Sequence, residues 1–210
     1  PYHVFGLILG YVASAKLNLN LSFIETAYSP FFHQKWLEIS KKKGQGLLTL
    51  GTPAHFKDLI YYLEKRNLTA ITSYSAIIGG AIVEKQLWHD VQQKLKIQSP
   101  SIGYGCTEAS LGVCHLAPGQ APDRTGHLGD FLPQTQGEIY SDKIVIKGPS
   151  VCLAYIDQNG LNFPQAIEIS DVLEEKQNSF FYLGRSQNIL NRGGVKYQLE
   201  EMEHFLKEHL

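Results

Sequence analysis

The sequence predicts an α/β chain: a parallel sheet core with helices, then a small β-rich subdomain and the start of a small C-terminal α+β domain. Three observations predict it. From residue 47 to 104, strand-like runs alternate with helical spacing, the order that builds a parallel sheet. After Cys114 the texture changes, and Gly and Pro punctuate short strand-like runs as far as Pro164. Near the end, Gly193-Gly194 separates two short runs ahead of a helix-like stretch over 200–210. The expected divisions are 1–114, 115–183 and 184–210, the last beginning with a hinge.

Taken in order, Pro1-Tyr2-His3-Val4-Phe5-Gly6 leads without a cap into an apolar segment through residue 15. Residues 20–28 read as a strand closed by Ser29-Pro30. Residues 31–43 have helical spacing, with Phe32, Trp36 and Ile39 on one side. A short apolar run over 47–50 stops at Gly51-Thr52-Pro53. In 54–66, Phe56, Leu59, Ile60 and Leu63 recur at three and four, a helix face. Residues 70–78 read as a strand ending at Gly79-Gly80-Ala81. A helix over 84–97 follows, then a short strand that ends in the polar turn Tyr104-Gly105-Cys106-Thr107-Glu108. In parallel sheets, ligands sit outside the carboxyl ends of strands, where both glycine-containing turns fall. Further on, 137–140, 143–146, 167–172 and 180–183 read as strands, 184–188 as a linker-like turn, and 189–194 with 195–197 as a hairpin.

Composition bounds the function. At 43% hydrophobic and 19% charged, the chain can bury a sizeable core and is not disordered. A formal net charge of -1, with no basic stripe, argues against nucleic acid as a partner. No apolar run is long enough to span a bilayer. Cys106, Cys114 and Cys152 form no C-x-x-C pair, so neither a zinc site nor a redox motif is expected, and a reducing, cytoplasmic setting fits. The histidines are dispersed with no H-E-x-x-H. Oligomeric state is not legible.

The chemistry concentrates at 101–108. Gly103 and Gly105 let backbone approach a ligand closely. Tyr104 offers a flat face and a hydroxyl. Thr107 can bond a phosphate-like group, and Glu108 is an acceptor-only carboxylate suited to Mg²⁺. An ordinary loop with an exposed acid and a half-buried tyrosine fits the same residues. Gly103-x-Gly105 is no dinucleotide fingerprint, because Glu108 stands at the third glycine position, and no Walker-type loop exists. Lys41-Lys42-Lys43 reads as a solvated helix end. Asp171, at a strand end, could hold two vicinal ribose hydroxyls or merely cap a turn. Arg185 could add a ribose or phosphate contact or form a surface ion pair. His3, among apolar residues, reads on its own as a packed or capping histidine. Ile77, Ile78 and Gly103 suggest a compact site.

Several of these pieces occur together. Tyr104-Gly105-Cys106-Thr107-Glu108, Ser170-Asp171 and Leu183-Gly184-Arg185-Ser186-Gln187-Asn188-Ile189 precede Gly193-Gly194-Val195-Lys196 and Glu200-x-x-Glu203. With Pro1-Tyr2-His3-Val4-Phe5-Gly6 and Gly79-Gly80-Ala81 upstream, the set resembles the AMP-forming acyl-CoA synthetase (adenylate-forming ligase) superfamily in order and spacing. The tail is most similar to short members near o-succinylbenzoate–CoA ligase. The resemblance implies ATP-dependent adenylation of a small carboxylic acid, then thioester formation with CoA. It implies that Gly79, Gly80, Ala81 and Tyr104 sandwich adenine, that Gly105 also belongs to the cofactor-binding set, and that Thr107 binds the α-phosphate. It implies that Glu108 holds Mg²⁺, and that Asp171 and Arg185 hold ribose. His3 and Gly103 then fall at the acyl pocket, Asn188 at the hinge, and Gly193 and Gly194 on the hairpin that meets the thiol.

The departures from the family pattern are specific. Only the middle portion of the family is matched. Its phosphate loop and its C-terminal catalytic lysine have no counterpart in these residues, so the chain reads as truncated. Asn188 stands where Asp or Lys is usual, Ser170 replaces a glycine, and Gln187 replaces a charged residue. Two alternatives accompany the ligase reading: a non-catalytic adenylate-binding remnant, and an adenylation domain that loads a carrier protein.

Overall fold

Three short parallel strands fix the first half of the molecule. The computed structural model describes residues 3–22, 28–44, 46–110, 112–158, 160–192, 195–199, 202–203 and 205–206. Strands β1 (Leu48–Gly51), β2 (Ser73–Gly79) and β3 (Ile97–Tyr104) pair in parallel. Helices α3 (Pro53–Lys65) and α4 (Lys85–Gln93) make the crossovers; they follow α1 (Ala13–Lys16) and α2 (Pro30–Lys42). Helix α3 starts where Pro53 supplies a preset φ and Thr52 forms a capping box with His55, the Thr52 N–H donating to His55 Nδ1 at 3.2 Å. Its predicted face is the buried one: Phe56, Leu59, Ile60 and Leu63 pack with Leu87, Trp88 and Val91 of α4 over Ile78 and Ile102 of the sheet.

The sheet then turns antiparallel. β3 takes β4 (Cys114–Leu116) on its far side, followed by β5 (His127–Phe131). Next come β12 (Ser179–Arg185) and β11 (Asp171–Lys176), giving the seven-strand order β1-β2-β3-β4-β5-β12-β11. The chain is therefore α/β with a parallel-containing sheet. The 114/115 division falls inside β4, within this one sheet. A separate antiparallel sheet of β6 (Gln136–Ile139), β7 (Ile144–Lys147) and β10 (Ile167–Ile169) closes a second core around Val113, Ile144, Ile146 and Leu173. A small hairpin joins β8 (Tyr155–Asp157) to β9 (Gly160–Asn162). At the end, a 3-10 turn at Ser186–Asn188 leads into an antiparallel hairpin of β13 (Ile189–Arg192) and β14 (Val195–Gln198).

Several expectations shift. The helix predicted over 84–97 stops at Gln93, because Lys96 adopts φ 56° and Ile97 already pairs with Ser73 as the first residue of β3. The side of α2 carrying Phe32 and Trp36 does not face the core. Those side chains are 44% and 37% exposed, while Gln34, Leu37 and Ser40 are buried. The first apolar segment is a π-helix, Phe5–Val12, that continues into α1. The 184–188 stretch is no free linker: β12 runs through Arg185, and the Ser186 N–H donates to Ser170 O at 2.8 Å. Residues 20–22 have no regular structure, and 23–27 of that predicted strand lie outside the described residues. So do Gly193 and Gly194 and most of 200–210.

Candidate functional site

The carboxyl ends of β2 and β3 lie side by side, Gly79 opposite Gly103. A Cβ on Gly79 would sit 2.7 Å from Gly103 O and 3.3 Å from Phe5 Cε2, so only glycine fits. Gly80 follows with φ 80°, a conformation that glycine adopts without strain. The chain therefore turns away from the sheet at 79–81 and leaves the end of β3 open. The same end is bonded to β4 (Tyr104 pairs with Cys114), and the Val113 N–H donates to Tyr104 O at 2.8 Å.

From the opposite edge, β11 and β12 deliver an acid and a base as a cross-strand pair, Asp171 against Arg185. Asp171 is 7% exposed. Its Oδ2 accepts the Tyr104 hydroxyl at 2.7 Å, and its Oδ1 lies 3.3 Å from Arg185 Nε. Residues 67 apart in sequence thus meet across the sheet. Burial, and after it the Asp171 charge, push the Tyr104 phenol well above its ordinary pKa, so it stays protonated and donates.

Around this contact lies a cavity of about 660 Å³. Tyr104, Gly105, Asp171 and Arg185 line one part, and Thr107 and Glu108 another. His3 and Val4, with Phe5 and Leu9 of the N-terminal helix, also line it, as do Ile77, Gly103 and Leu132. A smaller recess of about 130 Å³ shares Gly80, Tyr104, Gly105, Asp171 and Arg185 with it and adds Ala81. The predicted residues are therefore largely brought together. Ile77 lines the cavity, but Ile78 does not; it is fully buried in the core, as strand alternation requires. Gly79 shapes the site through backbone packing and lines neither hollow. Asn188 lies in the 3-10 turn after Arg185, off the cavity wall. Gly194 lies outside the described residues.

Glu108 is exposed, in a turn held by the Cys152 N–H donating to Glu108 O at 2.7 Å. Among the described residues no group of three His, Cys, Asp or Glu could hold a metal ion. Of the carboxylates that line the cavity, Glu108 beside Thr107 fits Mg²⁺, which binds through one or two carboxylates plus substrate phosphates and water. The neighbouring thiol of Cys106 is pushed up to about 12, mainly by burial, so it is not a nucleophile at neutral pH. Burial likewise holds His115 below its ordinary pKa. The sequence reading missed Phe5, Leu9, Cys114, His115, Glu168 and Leu132 in the lining. Only the periodicity of 5–9 could have signalled any of them.

No family model matches the chain. Among curated proteins it is 22% identical to the medium-chain acyl-CoA ligase ACSF2, mitochondrial, of Rattus norvegicus, over 99% of this chain and 36% of that protein. It is 24% identical to the 2-succinylbenzoate–CoA ligase of Haemophilus influenzae, over 75% of this chain and 34% of that protein. Among solved structures, the O-succinylbenzoate coenzyme A synthetase (MenE) of Bacillus subtilis, in complex with ATP and magnesium ion, superposes with a TM-score of 0.77. That match is 17% identical and covers 99% of this chain and 44% of that one. The fatty acyl-adenylate ligases studied from E. coli and L. pneumophila give a TM-score of 0.80 at 15% identity, over 99% and 46%. The chain is similar to the AMP-forming ligase superfamily in sequence and in fold. It spans about a third of the length of the curated superfamily members it matches. Among the described residues, no helix is long and apolar enough to cross a membrane.

Proposed function

We propose that this chain forms the nucleotide- and acid-binding part of an AMP-forming carboxylic acid–CoA ligase. The observation that carries the reading is the meeting of Tyr104, Asp171 and Arg185 at a cavity that also takes in Thr107, Glu108 and His3. In the reaction, a carboxylate oxygen attacks the α-phosphorus of ATP and pyrophosphate leaves. The CoA thiol then displaces AMP from the acyl carbon. Gly80, Ala81 and Gly105 border the small recess for adenine, with the Tyr104 ring as its stacking face, and Gly79 lets β2 approach closely enough to shape it. Asp171 has acceptor sites left for ribose hydroxyls after Tyr104 and Arg185 are bonded. The Thr107 hydroxyl can donate to an α-phosphate oxygen. Mg²⁺ held at Glu108 would offset charge on the phosphates. The apolar wall of Val4, Phe5, Leu9, Ile77 and Leu132, with Gly103 adding no side chain, receives the acyl body and excludes water there. His3 sits at its edge.

Within divisions 1–114, 115–183 and 184–210, the hinge is Asn188 by its matched position, in the 3-10 turn after β12, where rotation would exchange one half-reaction for the other. In that arrangement Gly194, on the hairpin, meets the thiol. The cysteines, free among the described residues, fit a reducing compartment such as the cytosol. The test is a thermal-shift titration with AMP and with a non-hydrolysable acyl-adenylate carrying a medium-chain or aromatic acyl group. The acyl-adenylate should bind at least about tenfold more tightly than AMP, since it adds apolar burial. Equal affinities would remove the acid-binding half of the reading.

A further inference from the structure

We propose that Tyr104 is a positioning residue whose hydroxyl fixes the plane of the Asp171 carboxylate, locking the base-stacking and ribose-binding subsites into one unit. The inference rests on the adenylate reading above. Asp171 opens β11 and is nearly buried, yet its terminal torsion is of the broad, two-fold kind that packing alone does not set. Among the described residues, two groups address it. The Arg185 side chain is 64% exposed and its Nε lies 3.3 Å from Oδ1, a long and solvent-screened contact. The Tyr104 hydroxyl donates to Oδ2 at 2.7 Å in a half-buried setting, the geometry of a strong bond to a charged acceptor.

Tyr104 is itself held. Its backbone is fixed between β3 and β4, and its ring lies 6.3 Å, centroid to centroid, from Tyr182 of β12. The ring that borders the small recess therefore also dictates which lone pairs of Asp171 remain for ribose. A tyrosine at the end of β3 then supplies two things that phenylalanine cannot supply together: a stacking face and an oriented carboxylate.

The experiment titrates AMP and 2′,3′-dideoxy-AMP into the wild-type chain and into Tyr104→Phe by calorimetry. The variant should weaken AMP binding about tenfold and leave dideoxy-AMP binding unchanged, because only AMP uses the oriented carboxylate. In an Asp171→Ala background, Tyr104→Phe should cost nothing further for AMP. Equal losses for the two nucleotides, or no loss for either, would overturn the proposal while leaving the nucleotide site standing. Failure of the wild-type chain to bind AMP would overturn both. Should Tyr104→Phe not fold, the wild type still decides. Its Tyr104 hydroxyl proton should give a slowly exchanging downfield resonance that Asp171→Ala removes, and the absence of that resonance would overturn the proposal.

Discussion

Gly79 and Gly103 face each other at the carboxyl ends of β2 and β3, so close that a side chain on Gly79 would strike the Gly103 carbonyl. The approach holds Gly103, which lines the cavity, against the end of β2. Replacing Gly79 with alanine must push one strand end aside, because the obstructing atom is backbone. Overpacking of this kind costs roughly 1–3 kcal/mol. Gly80→Ala is a different test. Its Cβ would meet only Thr52 Cγ2 at an ordinary 3.5 Å, and the cost is the left-handed φ, roughly 1–2 kcal/mol. Urea denaturation of both variants should show loss of stability in each. AMP binding should fail in Gly79→Ala and largely survive in Gly80→Ala. Intact binding in Gly79→Ala would show that the close approach does not shape the site.

The candidate site was legible from its pieces in combination, not from any one of them. A Gly-Tyr-Gly run, a strand-terminal aspartate and a Gly-Arg pair each have an ordinary structural use taken singly; their order and spacing carried the reading, and the sheet brings them together. The acyl wall was less legible. Phe5 and Leu9 are spaced as a helix face, but nothing local says which cavity that face walls; His115 enters from β4 and Leu132 just past the end of β5. The spacing of α2 marks a helix but does not say which of its sides is covered. Phe32 and Trp36 are exposed, while Gln34 and Ser40 are buried, and His33 of the same helix joins Tyr28 and His55 in a cluster. Periodicity reports which side is apolar, not which side is covered.

That cluster gives a pH dependence. His33 is mostly buried, its Nδ1 lies 3.3 Å from the Tyr28 hydroxyl, and burial followed by the nearby His55 lowers its pKa to about 4. The unfolded chain binds this proton near the ordinary value of 6.5, so the unfolded state takes up more protons between the two. The His33 contribution is therefore complete above pH 6.5 and is lost as pH falls through 6.5 towards 4, on the order of 3 kcal/mol in all. His33→Gln should flatten stability over that window. Parallel wild-type and variant curves from chemical denaturation at each pH would remove His33 as the cause.

The central claim is that Asp171 and Tyr104 mark a nucleotide site, and calorimetric titration of AMP with Mg²⁺ into the chain, beside Asp171→Ala, tests it most directly. Saturable binding by the wild type that weakens at least tenfold in Asp171→Ala is the predicted result, since charged hydrogen bonds to ribose contribute about 1.5–3 kcal/mol. Binding that is indifferent to Asp171, or no heat at millimolar AMP, would contradict it.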